Sequence, residues 1–262
     1  MVLDGKRLFL FDLEGVLCTH IDRPEVYPRA LDLLAALRRT GREFVILTNI
    51  SRKSKRSVLE RLRAVGFDLG GGDLLTAGEA AALYIKAKGA RRVFAITEGG
   101  LLEDLLTAGV EVVTEAPVDV VAVGASRDAT YNDLNFAMRM VMAGSELVCA
   151  GASAHFRGSF HGDEGLFLGE AALAQAIAFG AGAEVTYVGK PYPEIFRRAL
   201  ELKNAEIAEA VMVGDTPRSD IKGARELGIT SVLVTQGRAL ELGEERPDLV
   251  VRDVGELYKK LF

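Results

Sequence analysis

Leu8-Phe9-Leu10-Phe11-Asp12-Leu13-Glu14-Gly15-Val16-Leu17 decides how this chain is read. Four large apolar residues run straight into an acid, followed by a second acid two positions on and then a glycine. An unbroken apolar run bounded by turn residues predicts a strand buried on both faces of a parallel sheet. The end of such a strand is where open α/β sheets place their ligands. Carboxylates at i and i+2 of an extended chain point to the same side and repel each other. A positive group belongs beside them, most simply a hard divalent cation. Gly15 permits the sharp turn that follows.

The same rhythm continues downstream. Pro28 to Thr40 reads as a helix, with Leu31, Leu34 and Leu37 at helical spacing and Gly41 as its stop. Phe44 to Asn49 reads as a second buried strand ending in polar residues, and Ser51 as the cap of a helix through Val58, Leu59, Leu62 and Val65. Alternating strands and helices imply a parallel sheet with right-handed crossovers. Gly70-Gly71-Gly72-Asp73 is the first punctuation, with a domain boundary expected shortly after it. Beyond Gly78 the rhythm restarts: helix 79–88, strand 93–97, helix 101–108 and strand 118–123. Thr130 to Asp133 has capping-box form and opens a helix ending at Gly144. A short strand at 147–150 precedes a loop or hairpin over 151–169 and a helix over 171–179. After Thr186 to Pro191 come a helix from Pro193 to Leu202, an acid-ended strand from Ala210 to Asp215, and a helix opened by Asp220. Strands at 231–234 and 249–251 and a helix at 254–261 close the chain. The expected fold is α/β: a Rossmann-like doubly wound parallel sheet in two pieces, 1–76 and 187–262, with an α/β domain inserted over 77–186.

Composition narrows the function. The chain has 262 residues, 49% hydrophobic and 26% charged, which suits one large or two small globular domains. A net charge of −5 argues against a nucleic-acid polymer as partner but not against a small anionic substrate. No apolar run approaches the ~20 residues that span a bilayer. Met1-Val2-Leu3-Asp4-Gly5 lacks a signal-peptide layout. Cys18 and Cys149 have no metal-ligand spacing, so a reducing cytoplasm is the expected location. His20, His155 and His161 are too scattered for a zinc site.

Four strand ends or turns carry chemistry: Asp12 with Glu14, Thr48 with Asn49, Lys190, and Asp215 with Asp220. In a parallel sheet these ends line one edge and can converge. Asp12 and Asp215 suit Mg²⁺, which takes one or two carboxylates together with water and substrate phosphate. Lys190 adds a point charge for a phosphoryl oxygen. The Thr48 hydroxyl and the N–H groups after it suit the remaining oxygens. There is no Gly-rich Walker loop.

These four segments resemble, in order, the four motifs of the haloacid dehalogenase (HAD) superfamily. The 12–17 segment is similar to D-x-D-G-V/T-L, Leu47-Thr48-Asn49 to the second motif, Gly189-Lys190-Pro191 to the third, and Gly214-Asp215 to Asp220-Ile221 to the fourth. The insertion between the second and third motifs resembles a C2-type cap. Val121 to Gly124, Thr130-Tyr131 and the junction Tyr187 to Pro191 resemble the NagD-like p-nitrophenyl phosphatase subfamily. The loop from Cys149 to Gly169 is most similar to the phospholysine/phosphohistidine inorganic pyrophosphate phosphatase branch. The resemblance implies a Mg²⁺-dependent phosphatase of small phosphorylated metabolites, with a phosphotransferase, a P–N phosphatase or a non-catalytic binding module as alternatives.

Position by position, the resemblance makes Asp12 the nucleophile that forms an aspartyl-phosphate. It gives Mg²⁺ the Asp12 carboxylate, the Glu14 carbonyl and the Asp215 carboxylate, with Asp220 in an outer or water-mediated role. Thr48, Asn49 and Lys190 would hold the transferring group. Glu14 stands where the family normally has Asp, the residue that protonates the leaving oxygen and activates water; enolase-phosphatases of the superfamily also carry Glu there. Glutamate offers the same proton chemistry from a side chain one methylene longer, so its reach differs. In the cap, His155, Arg157 and His161 are the candidates to touch substrate. Cap-to-cap and core-to-core homodimers are both compatible with the sequence.

Overall fold

β1 (Leu8–Asp12) is covered on both sides: Leu8, Phe9, Leu10 and Phe11 are all fully buried, and alternate residues of a strand face opposite ways. The structure, a computed structural model, describes residues 2–239 and 245–262, so Met1 lies outside the described residues. After β1 come α1 (Ala30–Arg39), β2 (Glu43–Thr48), α2 (Lys55–Ala64) and β3 (Leu74–Thr76). α1 starts at Ala30 rather than Pro28 because Arg29 is left-handed, with φ 69°, which no right-handed turn accommodates.

A second series follows: α3 (Ala77–Ala87), β4 (Arg92–Ile96), α4 (Gly100–Thr107), β5 (Glu111–Val112), β6 (Val120–Val123), α5 (Tyr131–Met142) and β7 (Glu146–Cys149). It ends with β8 (His155–Phe160), β9 (Asp163–Leu168), α6 (Glu170–Ala181) and β10 (Thr186–Tyr187). The last series is α7 (Pro193–Leu202), β11 (Ala210–Gly214), α8 (Lys222–Glu226), β12 (Thr230–Val234), β13 (Leu249–Val251) and α9 (Val254–Leu261).

The chain divides into two units. The core unit comprises the chain through Thr48, Arg56–Leu75 and Lys190–Phe262; the insert comprises Asn49–Lys55 and Thr76–Gly189. Residues 49–55, expected with the core, pack with the insert instead.

In the core unit the sheet order is β13-β12-β11-β1-β2-β3, and β1 pairs in parallel with both β2 and β11. Connections from β1 run to one side and those from β11 to the other. The C-terminal ends of these two strands therefore flank the point where the winding reverses. In the insert the order is β10-β7-β6-β4-β5, parallel throughout, with the reversal between β4 and β6. β5 is absent from the sequence reading because two edge residues carry no periodic signal. The segment read as loop or hairpin is a hairpin, β8 against β9. α5 opens with the expected capping box: the Thr130 hydroxyl accepts the Asp133 N–H at 3.2 Å and Asp133 Oδ2 accepts the Thr130 N–H at 2.9 Å. Phe94, Val121, Val123, Leu147, Leu173 and Ile177 form the apolar seam beneath α5 and α6. Among the described residues no helix is long and apolar enough to cross a membrane.

Ser51 does not cap α2 as expected. Its hydroxyl accepts the Ala125 N–H at 3.1 Å, and the Lys55 N–H that opens α2 goes instead to Oδ1 of Asp104 on α4 at 3.0 Å. That acceptor comes from a distant helix, a pairing that local spacing does not encode. Asp104 is 7% exposed, and burial pushes its carboxyl up to about 7 against the pull of the Lys55 N–H, with Glu79 adding repulsion. The folded protein thus holds a proton on Asp104 that the unfolded chain releases near pH 4, so this group's contribution falls as pH rises from about 4 to about 7. Asp104→Asn keeps an acceptor for Lys55 and removes the titration. Urea unfolding at pH 5 and pH 8 is expected to show wild type losing roughly 2–3 kcal/mol more than the variant across that span.

Candidate active site

The first candidate residue is fixed by β-sheet register. Asp12 is the last residue of β1, opposite Leu47 of β2, which places Thr48 one residue beyond on the neighbouring strand end. Two donors converge on Asp12 Oδ1: the Leu13 N–H at 2.8 Å and Lys190 Nζ at 2.7 Å. Lys190 also lies 2.8 Å from Asp220 Oδ1 and donates to the Leu47 carbonyl at 3.1 Å. Its side chain is 2% exposed and that of Asp220 is fully buried. One ammonium is therefore shared by two carboxylates away from water.

The third acid arrives from the other side of the winding reversal. Asp215 follows β11, and carboxylate oxygens of Asp12, Asp215 and Asp220 all lie within 4.8 Å of one another. Gly15 makes room for this approach: it takes φ +84°, and a β-carbon there would collide with the Asp215 carboxylate. Asp215 Oδ1 accepts the Thr216 hydroxyl at 3.0 Å, and Oδ2 pairs with Arg238 at 2.9 Å. The expectation that Asp220 opens a helix is corrected here. It sits inside a single π-helical turn, Pro217–Ile221, and α8 begins at Lys222. Its Oδ2 accepts the Thr216 N–H at 3.0 Å, which closes that turn from within. Isolated π turns recur at functional sites because the extra residue re-aims a side chain.

Electrostatics follow from burial. Burial first, then repulsion by Asp220, pushes Asp12 up to about 7, with Lys190 pulling the other way. Burial likewise raises Asp220 despite Lys190. Burial opposes the charge on Lys190, yet Asp12 and Asp220 together hold its ammonium above the usual lysine range. Three carboxylates against the buried Lys190 and the more exposed Arg238 leave an excess of negative charge. A hard cation offsets such an excess, and oxygen donors at this spacing suit one.

The remaining candidates lie elsewhere. Glu14 is outside the three-acid group: its Oε1 accepts the Ile21 N–H at 2.6 Å, within a loop tied by bridges from Glu14 to Cys18 and from Cys18 to Val26. Thr48 is buried at the end of β2, and Asn49 belongs to the insert. His155 and Arg157 are exposed on one face of β8, opposite Leu168 and Leu166, and His161 is exposed in the hairpin turn with φ 51°. Sequence reasoning did not single out Arg238 or Thr216. A lone arginine in a loop and a threonine after a strand belong to no motif, and only the tertiary fold brings them to Asp215.

Residues 9–111 match the family model described as haloacid dehalogenase-like hydrolase, and residues 187–257 one described as HAD-hydrolase-like. A dihydroxyacetone phosphatase from Corynebacterium glutamicum (strain R) is 30% identical over 87% of this chain and 81% of its own. The chain belongs to the haloacid dehalogenase-like hydrolases. Within that family its fold is that of the NagD-like branch. The structure of a 4-nitrophenylphosphatase from Thermotoga maritima superposes with a TM-score of 0.87 at 26% identity, covering 99% of this chain and 98% of that one. NagD from E. coli K-12 superposes with a TM-score of 0.85 at 26% identity, covering 96% and 98%. Enzyme class and subfamily are therefore those implied by the four motifs: this is an enzyme of the HAD phosphatase family.

Proposed function

We propose that this haloacid dehalogenase-like hydrolase is a cytoplasmic Mg²⁺-dependent phosphatase of small phosphomonoesters, working through an aspartyl-phosphate on Asp12. The observation that carries the reading is the group of Asp12, Asp215 and Asp220 with oxygens within 4.8 Å, two of them sharing the buried Lys190. Because both fixed donors hold Asp12 Oδ1, Oδ2 is the oxygen left to attack phosphorus. As the phosphorus–oxygen bond to the leaving group breaks, Glu14 gives its proton to the departing alkoxide. Glu14 then takes a proton from water, which attacks the acyl-phosphate, frees phosphate and restores Asp12. Lys190, Thr48 and Asn49 hold the phosphoryl oxygens. The Asp12 and Asp215 carboxylates and the Glu14 carbonyl would hold Mg²⁺, with Asp220 behind them. When bound, Mg²⁺ supplies positive charge that lowers the repulsion between an anionic nucleophile and an anionic phosphate. His155, Arg157 and His161 of the insert, the proposed C2 cap, contribute to substrate choice. Two free, buried cysteines suit a reducing compartment.

One observation favours a second reading. The Glu14 carboxylate already accepts the Ile21 N–H, and a proton carrier held this way suits a protein that binds phosphometabolites and turns them over slowly. Release of p-nitrophenol from p-nitrophenyl phosphate separates the two. The phosphatase reading expects release that chelation abolishes and added Mg²⁺ restores. Tight phosphate binding with no release above an Asp12→Asn control overturns it in favour of the binding module.

A further inference from the structure

The insert has a winding reversal of its own, between the C-terminal ends of β4 and β6. In open α/β sheets such a crevice receives a ligand. Here the chain itself enters it. The Leu101 N–H in the first turn of α4 donates to the Ser51 carbonyl at 2.9 Å, and the Ala125 N–H just past β6 donates to the Ser51 hydroxyl at 3.1 Å. The Gly78 N–H donates to the Ile50 carbonyl at 3.3 Å, and Asp104 receives the Lys55 N–H at 3.0 Å. Gly100 lies against the same segment so closely that a β-carbon on it would sit 2.6 Å from the Arg52 carbonyl oxygen. The Arg52 guanidinium lies 5.8 Å from the centroid of the Phe156 ring. Asn49 Oδ1 occupies space that a β-carbon on Gly189 would need. Ser51, 3% exposed, is the central anchor, using both its side chain and its carbonyl.

We infer that Ser51 is a positioning residue for phosphate binding: it seats the Asn49–Lys55 segment in the insert's crevice and so fixes Asn49, the residue next to Thr48. The inference rests on the phosphatase reading above, in which Asn49 holds a phosphoryl oxygen. A hydrogen-bonded anchor two residues from a ligand sets that ligand's position, and a displacement of about 1 Å can cost on the order of 10²-fold in rate.

The test is Ser51→Ala with Gly100→Ala, assayed with p-nitrophenyl phosphate and with inorganic phosphate as inhibitor, at a temperature where circular dichroism shows each variant folded. Val121→Ala, which weakens β6 without touching the segment, serves as the stability control. Both segment variants are expected to lose about 10²-fold in kcat/KM and to bind inorganic phosphate at least about tenfold more weakly, while Val121→Ala keeps wild-type values per folded molecule. Ser51→Thr, which retains the oxygen, is expected to recover phosphate inhibition. If Ser51→Ala fails to fold, Gly100→Ala decides. Folded segment variants with unchanged KM and phosphate inhibition overturn the inference while the phosphatase reading stands. Wild-type protein that releases no p-nitrophenol overturns that reading, and the inference with it.

Discussion

Asp12→Asn is expected to remove Mg²⁺-dependent hydrolysis of p-nitrophenyl phosphate, lowering kcat by on the order of 10⁴-fold or more, the scale seen when a covalent nucleophile is deleted. The amide is nearly isosteric and its oxygen can still accept from the Leu13 N–H and from Lys190, so the strand end keeps its geometry. What disappears is the anionic oxygen proposed to attack phosphorus. Folding survives for a separate reason. The Asp12 carboxyl is pushed up to about 7 by burial and by Asp220, so at pH 8 its charge works against the folded state, and replacing it relieves that cost. Thermal unfolding at pH 8 should show a midpoint no lower than that of wild type. A folded variant that turns over within tenfold of wild type removes the covalent route.

Lys190→Met carries the second large effect, on stability and activity together. Methionine fills a similar length of space and supplies no donor. Asp12 and Asp220 then face each other without the ammonium that lies 2.7 Å and 2.8 Å from them, and the Leu47 carbonyl loses its donor. Breaking a buried ion pair by removing one partner typically costs about 3–5 kcal/mol, because a charge is left uncompensated. Urea unfolding at pH 8 is expected to register a loss of that size, and phosphate release to vanish. Adding Asp220→Asn to Lys190→Met is expected to recover much of the stability and none of the turnover, since it removes the repulsion without restoring a phosphate ligand. A single variant as stable as wild type would mean that the lysine balances no charge in the folded protein.

The acid-bearing strands were legible for a physical reason. A strand in the middle of a parallel sheet is buried on both faces, so β1 and β11 appear as continuous apolar runs, and the acids that follow them stand out. The capping box at Thr130 was legible because both of its partners lie within four residues. Ser51, Asp104 and Arg238 were not, since their partners are distant in sequence: Ala125 for Ser51, Lys55 for Asp104, Asp215 for Arg238. Asp220 lay between these cases. Its place in a motif was visible, but the π-helical turn that buries it was not, because a five-residue turn and the start of a helix share one local pattern.

Two sheets in this protein reverse their winding, and Asp12 and Asp215 flank only one of the two reversals. At the other, Ser51 and its neighbours take the amide groups at Leu101 and Ala125 that would greet a foreign molecule. A mononucleotide or dinucleotide seeking that berth would first have to evict a peptide covalently attached to it. Such a tenant is never diluted away, so that crevice stays filled although the insert is wound like a nucleotide-binding domain.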